Sequence, residues 1–551
     1  MAGKNWALTD LTQDGTLTLN VGRAAYPVVH FTATWAVNEI PSAVVMLAVG
    51  RDARSSGAAT AALTNAAAAA LQARTAATVE FAPAGEYAPG VDWPAGNGQT
   101  IFNGFLTGTG FRKVQGKVYM TVNLTHWLVN LTYSSTLSAY SHPGNPTQLT
   151  MPAVIPDLSP GAGTTGAPLY LPQNIGYSVL SGQLETDLWA GIKNFLCALA
   201  RVNKAHVSSG TPCGGITSDV SPQDNTQALE ALALIEGPGS YGAPAASHHV
   251  PLALNTLGVT AVTQSVCDAI TFETLDTYAN MTFWDALVGR LCPTFRMAVV
   301  PLVETAVVIA DTPAFRTPYK GISTSEYDSG DVSGWLAAPL RAVGVYSIYE
   351  SYAGSGQSSR QPALSVGGCY DTGDKMGVTL YIPAPRWLAG VSFAGGPEAS
   401  GSQQNTPVPT STTPIATGPA AAPAPDPNIN QLYQAFAHSH YVASTLRGRT
   451  GPLSGKLRFD IAPGSIVQVH RDPELFLAGV DQLAQDYYAC VSRVTIAINA
   501  EARMASTSFA LSHMRTAAEN DDDRYSVTAH PLFGSSVFTG APLIDAWSFP
   551  S

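Results

Sequence analysis

Lys117-Val-Tyr-Met-Thr-Val-Asn-Leu-Thr125 nearly alternates apolar and polar side chains. Successive side chains on a strand point to opposite faces, so this spacing describes a strand with one buried face. Working outward, the spans 16–21, 28–37, 44–49, 78–81, 101–106 and 117–131 read as short strands, with Gly and Pro marking the gaps. Thr107-Gly108-Thr109-Gly110, ahead of Phe-Arg-Lys, fits a hairpin turn. The first part of the chain is therefore expected to form a β-barrel or sandwich. The Ala-rich stretch 58–71 interrupts it with helix-favouring composition.

Further along, the period changes. Leu188, Ile192, Phe195, Leu196 and Leu199 recur at helical spacing, and the spans 228–235 and 283–291 look similar. The apolar runs 297–303 and 306–310, separated by Glu304-Thr305, read as a β-hairpin, and strands follow at 342–348 and 377–382. Residues 395–428 are built largely from Gly, Ser, Thr, Ala and Pro, with Glu398 and Asp426 as the charges, which is a linker composition. After it come a strand at 467–469, an amphipathic helix on Phe476, Val480, Leu483 and Tyr487, and a long strand-like segment at 491–511. The acidic turn Glu519-Asn-Asp-Asp-Asp523 follows.

At 551 residues the chain is long enough for three or four domains, at one per about 150 residues. Hydrophobic residues make up 45%, which excludes a wholly disordered chain. Charged residues are only 12%, and the net charge is −11. Phosphate-backbone binding is therefore not the main source of any affinity. So sparse a charge implies either surface buried against other subunits or a biased genome composition, which would favour Ala, Gly, Pro and Arg together. No run approaches the ~18 apolar residues of a spanning helix, so no membrane span is expected. The polar start at Met1 offers no signal-peptide core. Asn123, Asn130 and Asn280 match the glycosylation sequon, but without an export signal they read as chance matches.

Candidate chemistry is thin. Tyr327-Asp-Ser-Gly-Asp331 and Tyr370-Asp-Thr-Gly-Asp374 form a similar pair, and Asp328 and Asp371 could act as the two carboxylates of an aspartic-type hydrolase, sharing one proton. Neither motif follows a burying apolar strand, an extra Asp follows each Gly, and the two lie too close for two lobes; both read better as tight polar turns. His248-His249 and His438-Ser-His440 have no Cys, Asp or Glu at ligand spacing and read as surface loops. The 519–523 turn lacks the central Gly and distal Glu of a calcium loop. Gly237-Pro-Gly-Ser-Tyr-Gly242 matches Gly-x-Gly-x-x-Gly but follows a helical stretch rather than a strand. Arg447, Arg449, Lys456 and Arg458 form a basic cluster without interleaved aromatics, which suits a solvated loop or a protein interface. The six cysteines, Cys197, Cys213, Cys267, Cys292, Cys369 and Cys490, show no metal or disulfide spacing. No catalytic, cofactor-binding or metal-ligating residue is assigned, and no cofactor is expected.

The order of features is more informative. Ile101-Phe-Asn-Gly-Phe-Leu-Thr-Gly108 and Val118-Tyr-Met-Thr-Val-Asn-Leu-Thr-His-Trp-Leu128 resemble a strand pair of bacteriophage tail-hub proteins and related contractile injection machines. Phe283-Trp-Asp-Ala-Leu-Val288, Phe295-Arg-Met-Ala-Val-Val-Pro301 and Val308-Ile-Ala-Asp-Thr-Pro313 are similar to that family's helix and following hairpin. The run 508–520, His530-Pro-Leu-Phe533 and Gly540-Ala-Pro-Leu543 also resemble tail-hub sequences. The resemblance covers most of the chain outside the linker, through loose motifs.

That resemblance implies a homotrimer in which each chain supplies two tail-tube-like β-barrel domains, so that three chains meet a six-fold tube. The expected fold class is β-rich α+β and multidomain: two tail-tube-like β-barrel domains, inserted helical α+β segments and a C-terminal α+β unit. The expected division is an N-terminal barrel at residues 1–185, an α+β region with a second barrel-like sheet at 186–394, the linker at 395–428 and a C-terminal α+β domain at 429–551. The resemblance further implies a non-enzymatic virion tail or baseplate hub, assembled in the host bacterial cytoplasm, that joins the tail tube to a spike or tip. Its partners would be its own copies, a tail-tube or distal tail protein, and a spike or tip protein. Viral DNA would pass through without specific binding. The alternatives are another self-assembling viral structural protein, such as a capsid or tail-tube subunit, and the hydrolase built on Asp328 and Asp371.

Overall fold

The structure is a computed structural model. It describes residues 15–49, 75–83, 98–114, 116–132, 141–142, 145–149, 253–254, 282–311, 318–323, 327–330, 338, 340–353, 361–383, 427–470, 485–501, 504–525 and 540–544. Among these the fold is predominantly β, with few helices.

The N-terminal strands are β1 (Gly15–Val21), β2 (Ala24–Pro27), β3 (His30–Ala36), β4 (Ser42–Val49), β5 (Ala76–Pro83), β6 (Gln99–Val114) and β7 (Lys117–His126). Their alternation is the one read from the sequence. Leu17, Leu19 and Val21 on β1, Phe31, Ala33 and Trp35 on β3, and Val122 and Leu124 on β7 all point into one core. The strand expected at 117–131 ends at His126. Trp127, Leu128 and Leu131 are buried close together, which a two-residue repeat cannot achieve, and Trp127–Thr132 winds into a 3-10 helix instead. Thr107–Gly110 is not a hairpin turn, for it lies inside β6, where a register shift between Leu106 and Gly108 absorbs an extra residue. The reversal into β7 comes later, at Gly116, whose φ of 82° favours glycine.

The pair β8 (Ser141–His142) and β9 (Asn145–Leu149) stands apart as its own small sheet. β10 (Ala253–Leu254) joins β11 (Met297–Pro301) and β12 (Ala306–Ala310), the last two forming the expected antiparallel hairpin. Ahead of it, a π-helical segment at Asp285–Leu291 runs into the short helix α1 (Cys292–Phe295), which Arg296 ends in the left-handed conformation. β13 (Lys320–Ser323) and β14 (Tyr327–Gly330) follow. A three-stranded sheet comes next, made of β15 (Ala342–Ala353), β16 (Gln361–Asp371) and β17 (Val378–Pro383) in the order β16-β15-β17. The long helix α2 (Pro427–Thr445) begins with a proline, which suits a first turn that has no use for its N–H.

The last strands are β18 (Gly451–Gly455), β19 (Ile466–His470), β20 (Tyr487–Asn499) and β21 (Met504–Thr516), closed by the short helix α3 (Ala517–Asp521). Thr516 and Glu519 form a reciprocal capping box on α3. The single segment expected at 491–511 is thus two strands, and its reversal carries no Gly or Pro that would mark it. Tyr487, expected in a helix, opens β20, and the segment that contains Phe476, Val480 and Leu483 lies outside the described residues.

These strands do not sort by position in the chain. One 13-stranded sheet runs β14-β18-β21-β20-β3-β4-β7-β6-β5-β1-β2, with β19 on β20 and β13 on β19. N-terminal and C-terminal strands therefore share one sheet, and one continuous core runs beneath both. None of the described helices is long and apolar enough to cross a membrane. The expected helices at 58–71, 188–199 and 228–235 lie outside the described residues, as does the linker except for Pro427 and Asn428 in α2.

Candidate functional site

The feature that sets what this chain can do is the seam between β3 and β20. Seven residue pairs run antiparallel from His30 with Asn499 to Ala36 with Arg493. Period-two alternation sends Phe31, Ala33 and Trp35, with Val494, Ile496 and Ile498, into the core. The opposite face carries small uncharged groups in its middle, Thr32, Thr34, Thr495 and Ala497, with His30 and Asn499 at one end and Arg493 at the other. Thr34 Oγ1 and Thr495 Oγ1 meet across the seam at 3.2 Å, and Ser454 Oγ and Ser508 Oγ meet at 2.6 Å two strands further on. At one end Arg493 Nη2 donates to both carboxylate oxygens of Glu39, at 2.9 and 3.0 Å. Both side chains are about half exposed, so this pair fixes register more than it adds stability.

The β11–β12 hairpin is pinned to the N-terminal strands. Asn38, at a φ of 61°, donates its N–H to Val299 O at 2.8 Å and accepts the Val299 N–H on Oδ1 at 2.8 Å. Asn103 Nδ2 donates to Glu304 Oε2 at 3.1 Å. His126 is fully buried, with Nε2 at 3.2 Å from Val303 O and Nδ1 accepting from Leu128 N at 3.4 Å. Burial drives its pKa down to about 3, against the smaller opposing pull of the carbonyls of Val303 and Leu302, so the ring is neutral. Arg296 continues the chain of contacts, pairing with Asp311 at 3.3 Å and reaching Ser439 Oγ on α2 at 3.3 Å.

The residues singled out from the sequence fall elsewhere. Asp328 lies in β14, an end strand of the large sheet, as the extra residue of a register shift between Tyr327 and Ser329; its segment is a strand, not the expected turn. Asp371 ends β16 in the three-stranded sheet, is exposed, and accepts from Gly373 N at 2.9 Å, which is the tight polar turn expected there. The two residues thus belong to different sheets. His438 and His440 are on α2, not in a loop. His438 stacks on Tyr370 at 4.2 Å, and burial lowers its pKa, the backbone carbonyl of Arg524 opposing. Burial, then the charge of Arg296, lowers His440 to about 4.

The basic cluster is divided. Arg449 is buried and donates to Glu519 Oε2 at 2.7 Å, which ties the acidic turn to it and leaves α3 no resemblance to a calcium loop. Arg458 grips Asp460 through two bonds of 2.9 and 2.8 Å, while Arg447 is exposed. Desolvation pushes the half-buried thiol of Cys490 up to about 12, against the hydrogen bond of Ser512 and the charge of Arg515, which disfavours the thiolate. Among the described residues no group of three or more His, Cys, Asp or Glu is placed to hold a metal ion. His248, His249 and Gly237–Gly242 lie outside the described residues. Asn38, His126 and the β3–β20 seam escaped the sequence reading, since long-range pairing leaves no local signature.

No protein-family profile matches the chain, and no curated protein matches it in sequence. Similarity appears among solved structures, at low identity and low TM-score. A tail protein from Neisseria meningitidis MC58 is 10% identical, with 90% of this chain and 96% of that one covered and a TM-score of 0.40. The 43 kDa tail protein of prophage MuSo2 from Shewanella oneidensis is 8% identical, with 90% and 96% covered and a TM-score of 0.39. An Escherichia coli component of the type VI secretion system is 8% identical, with 93% and 80% covered and a TM-score of 0.34.

Proposed function

We propose that this chain is a structural component of a phage-type tail, a hub that connects a six-fold tail tube to a three-fold spike or tip and lines the DNA channel. The observation that carries the reading is the seam of seven residue pairs between β3 and β20. It welds an N-terminal β unit, β1–β7, to a second unit made of β18–β21 with β13, β14 and β19. Two fused β units of one kind would offer two like surfaces, so three chains would present six to a six-fold ring. In this reading the two units are the tube-like barrels. Residues 1–185 and 429–551 supply most of their strands, and 186–394 lends β13 and β14 to the second.

Two further features support it. The sheet ends in β2, β13 and β14, each with one ladder partner among the described residues, and such edges are covered when units join in a ring. The outward face around the seam carries the hydroxyls of Thr32, Thr34, Thr495, Ser506 and Ser508, and the cation at its end, Arg493, is matched by Glu39, which suits a wall along which DNA slides without sticking. The partners would be two further copies, a tail-tube or distal tail protein on one side and a spike or tip protein on the other. The role is mechanical and no catalysis is assigned to it; its place is the virion tail, with assembly in the host cytoplasm.

Native mass spectrometry of the purified full chain tests the proposal. A species of three times 57.5 kDa is expected. A hexameric ring or a closed shell would favour a tube or capsid subunit, and a stable monomer at micromolar concentration would overturn both.

A further inference from the structure

The three-stranded sheet carries a cleft of about 410 Å³ beside the start of β17. Its floor is aromatic. Tyr441 of α2 and Tyr525 stack at 6.2 Å, and Tyr370 lies 5.2 Å from Tyr441. Leu340 and Met376 form apolar walls, 39% and 80% exposed. Two cations, Arg341 and Lys375, stand exposed at the mouth.

The backbone fixes this arrangement. Val378 N donates to Arg341 O at 3.0 Å, and a Cβ on Gly377 would lie 2.6 Å from that same oxygen. Glycine therefore allows the close approach that sets Met376 and Lys375 next to Arg341. The third cation of the cleft is already matched, since Arg524 binds Asp522 at 2.7 Å and lies 3.6 Å from Asp374. Arg341 and Lys375 make no ion pair among the described residues. An acidic chain thus keeps two cations without an ion pair, and a net positive charge, at an aromatic cleft.

The adjoining strand is open as well. β17 pairs with β15 alone among the described residues, and α2 packs over β15 and β16. Val378 and Tyr381 remain 48% and 63% exposed along β17. An edge of free N–H and C=O groups flanked by apolar side chains is a template for an added strand.

We propose that β17 and its cleft dock an extended acidic segment of a partner protein. The segment adds as a strand to the open edge of β17, sets a carboxylate between Arg341 and Lys375, and packs an apolar side chain against Leu340 and Met376. Charge selects the occupant, because a basic segment would meet two cations that have no ion pair. The surface lies on the smaller sheet, away from the β3–β20 seam, so this inference stands whether or not the hub reading does.

Fluorescence anisotropy with the full-length chain tests it, using labelled peptides of about ten residues rich in Glu and Leu, or in Lys and Leu. The acidic peptide is expected to bind about tenfold or more tighter than the basic one, and to weaken as salt rises from about 50 to about 300 mM. Reversing both charges, Arg341→Glu with Lys375→Glu, is expected to invert the preference; both side chains are exposed, so folding is spared. Methylating alternate backbone nitrogens of the acidic peptide should abolish binding. Equal binding of both peptides, indifference to charge reversal, or equal binding of polyglutamate and dextran sulfate would overturn the proposal. Undiminished binding of the methylated peptide would overturn strand addition.

Discussion

Tyr119 Oη donates a 2.6 Å hydrogen bond to Glu501 Oε2, joining residues 382 positions apart in the chain. Tyr119 is on β7 and Glu501 sits in the reversal between β20 and β21. The bond ties β7 to the end of β20, three strands away in the sheet, across the β3–β20 seam. Lys117 Nζ reaches the other oxygen of the same carboxylate at 3.4 Å, but about half of each of those side chains is exposed.

These two contacts to one carboxylate should differ in weight. Tyr119 is buried, so Tyr119→Phe removes the hydrogen bond of a buried hydroxyl and is expected to lower stability by about 1 kcal/mol. Lys117→Ala should change it by less than about 0.5 kcal/mol, because exposed ion pairs are screened. Urea denaturation of both variants measures the difference, and equal effects would show that the clasp is not the buried hydrogen bond.

The shared sheet makes a prediction about cooperativity. Ile496 faces the core opposite Ala33 and is fully buried, so Ile496→Ala is expected to cost about 2–5 kcal/mol. Because the core is continuous across the seam, the loss should appear in both units together. Hydrogen exchange should speed up in β3 and β4 as much as in β20 and β21. Faster exchange in the C-terminal strands alone would mean two independently folding units.

Glycine requirements separate two positions on one strand. A Cβ on Gly104 would overlap the carbonyl oxygen of Thr125 on β7, whereas one on Gly110 would meet nothing within 4 Å. Gly104→Ala is therefore expected to prevent folding or cost several kcal/mol, at about the level of severe core substitutions. Gly110→Ala should express and melt like the parent. The comparison needs only soluble yield and a thermal scan.

Gly104 also shows what could be read from the sequence. It sits in Ile101-Phe-Asn-Gly104, part of one of the segments in which the resemblance was read, and the close approach to Thr125 is the physical reason for a glycine there. Strands with a period-two pattern, such as β1, β3 and β7, were legible because burial on one face writes itself into local order. β2 was not, being four residues long after the Gly22 turn, and the β20–β21 reversal was hidden by the absence of Gly or Pro. The pairings of β14 with β18 and of β3 with β20 join segments more than a hundred residues apart, which composition and periodicity cannot encode. The Asp-Ser/Thr-Gly repeat was read as two tight turns, which holds at Asp371 and not in the strand at Asp328, since nothing in either copy says which sheet it will join. The cleft was equally hidden, because Arg341, Lys375 and Tyr525 converge from separate elements.

Acid should destabilise this protein well above the carboxylate range. His126 has an ordinary pKa of 6.5 when unfolded and about 3 when folded, because burial penalises its charge. His440 falls from 6.5 to about 4, and His438, His513 and His30 are lowered too, each mainly by burial. Between pH 6.5 and those folded values the unfolded chain binds protons that the folded chain does not, so stability falls as pH falls. The stability is fully present above pH 6.5 and is lost progressively toward pH 4, His126 continuing to contribute down to about pH 3. A single such group can contribute up to about 1.4 kcal/mol per pH unit. Urea midpoints at pH 7.5, 6.5, 5.5 and 4.5 should therefore decline in steps, and His126→Gln should start lower but decline less steeply. A midpoint that holds constant from pH 7.5 to 4.5 would contradict a set of histidines buried in their neutral form.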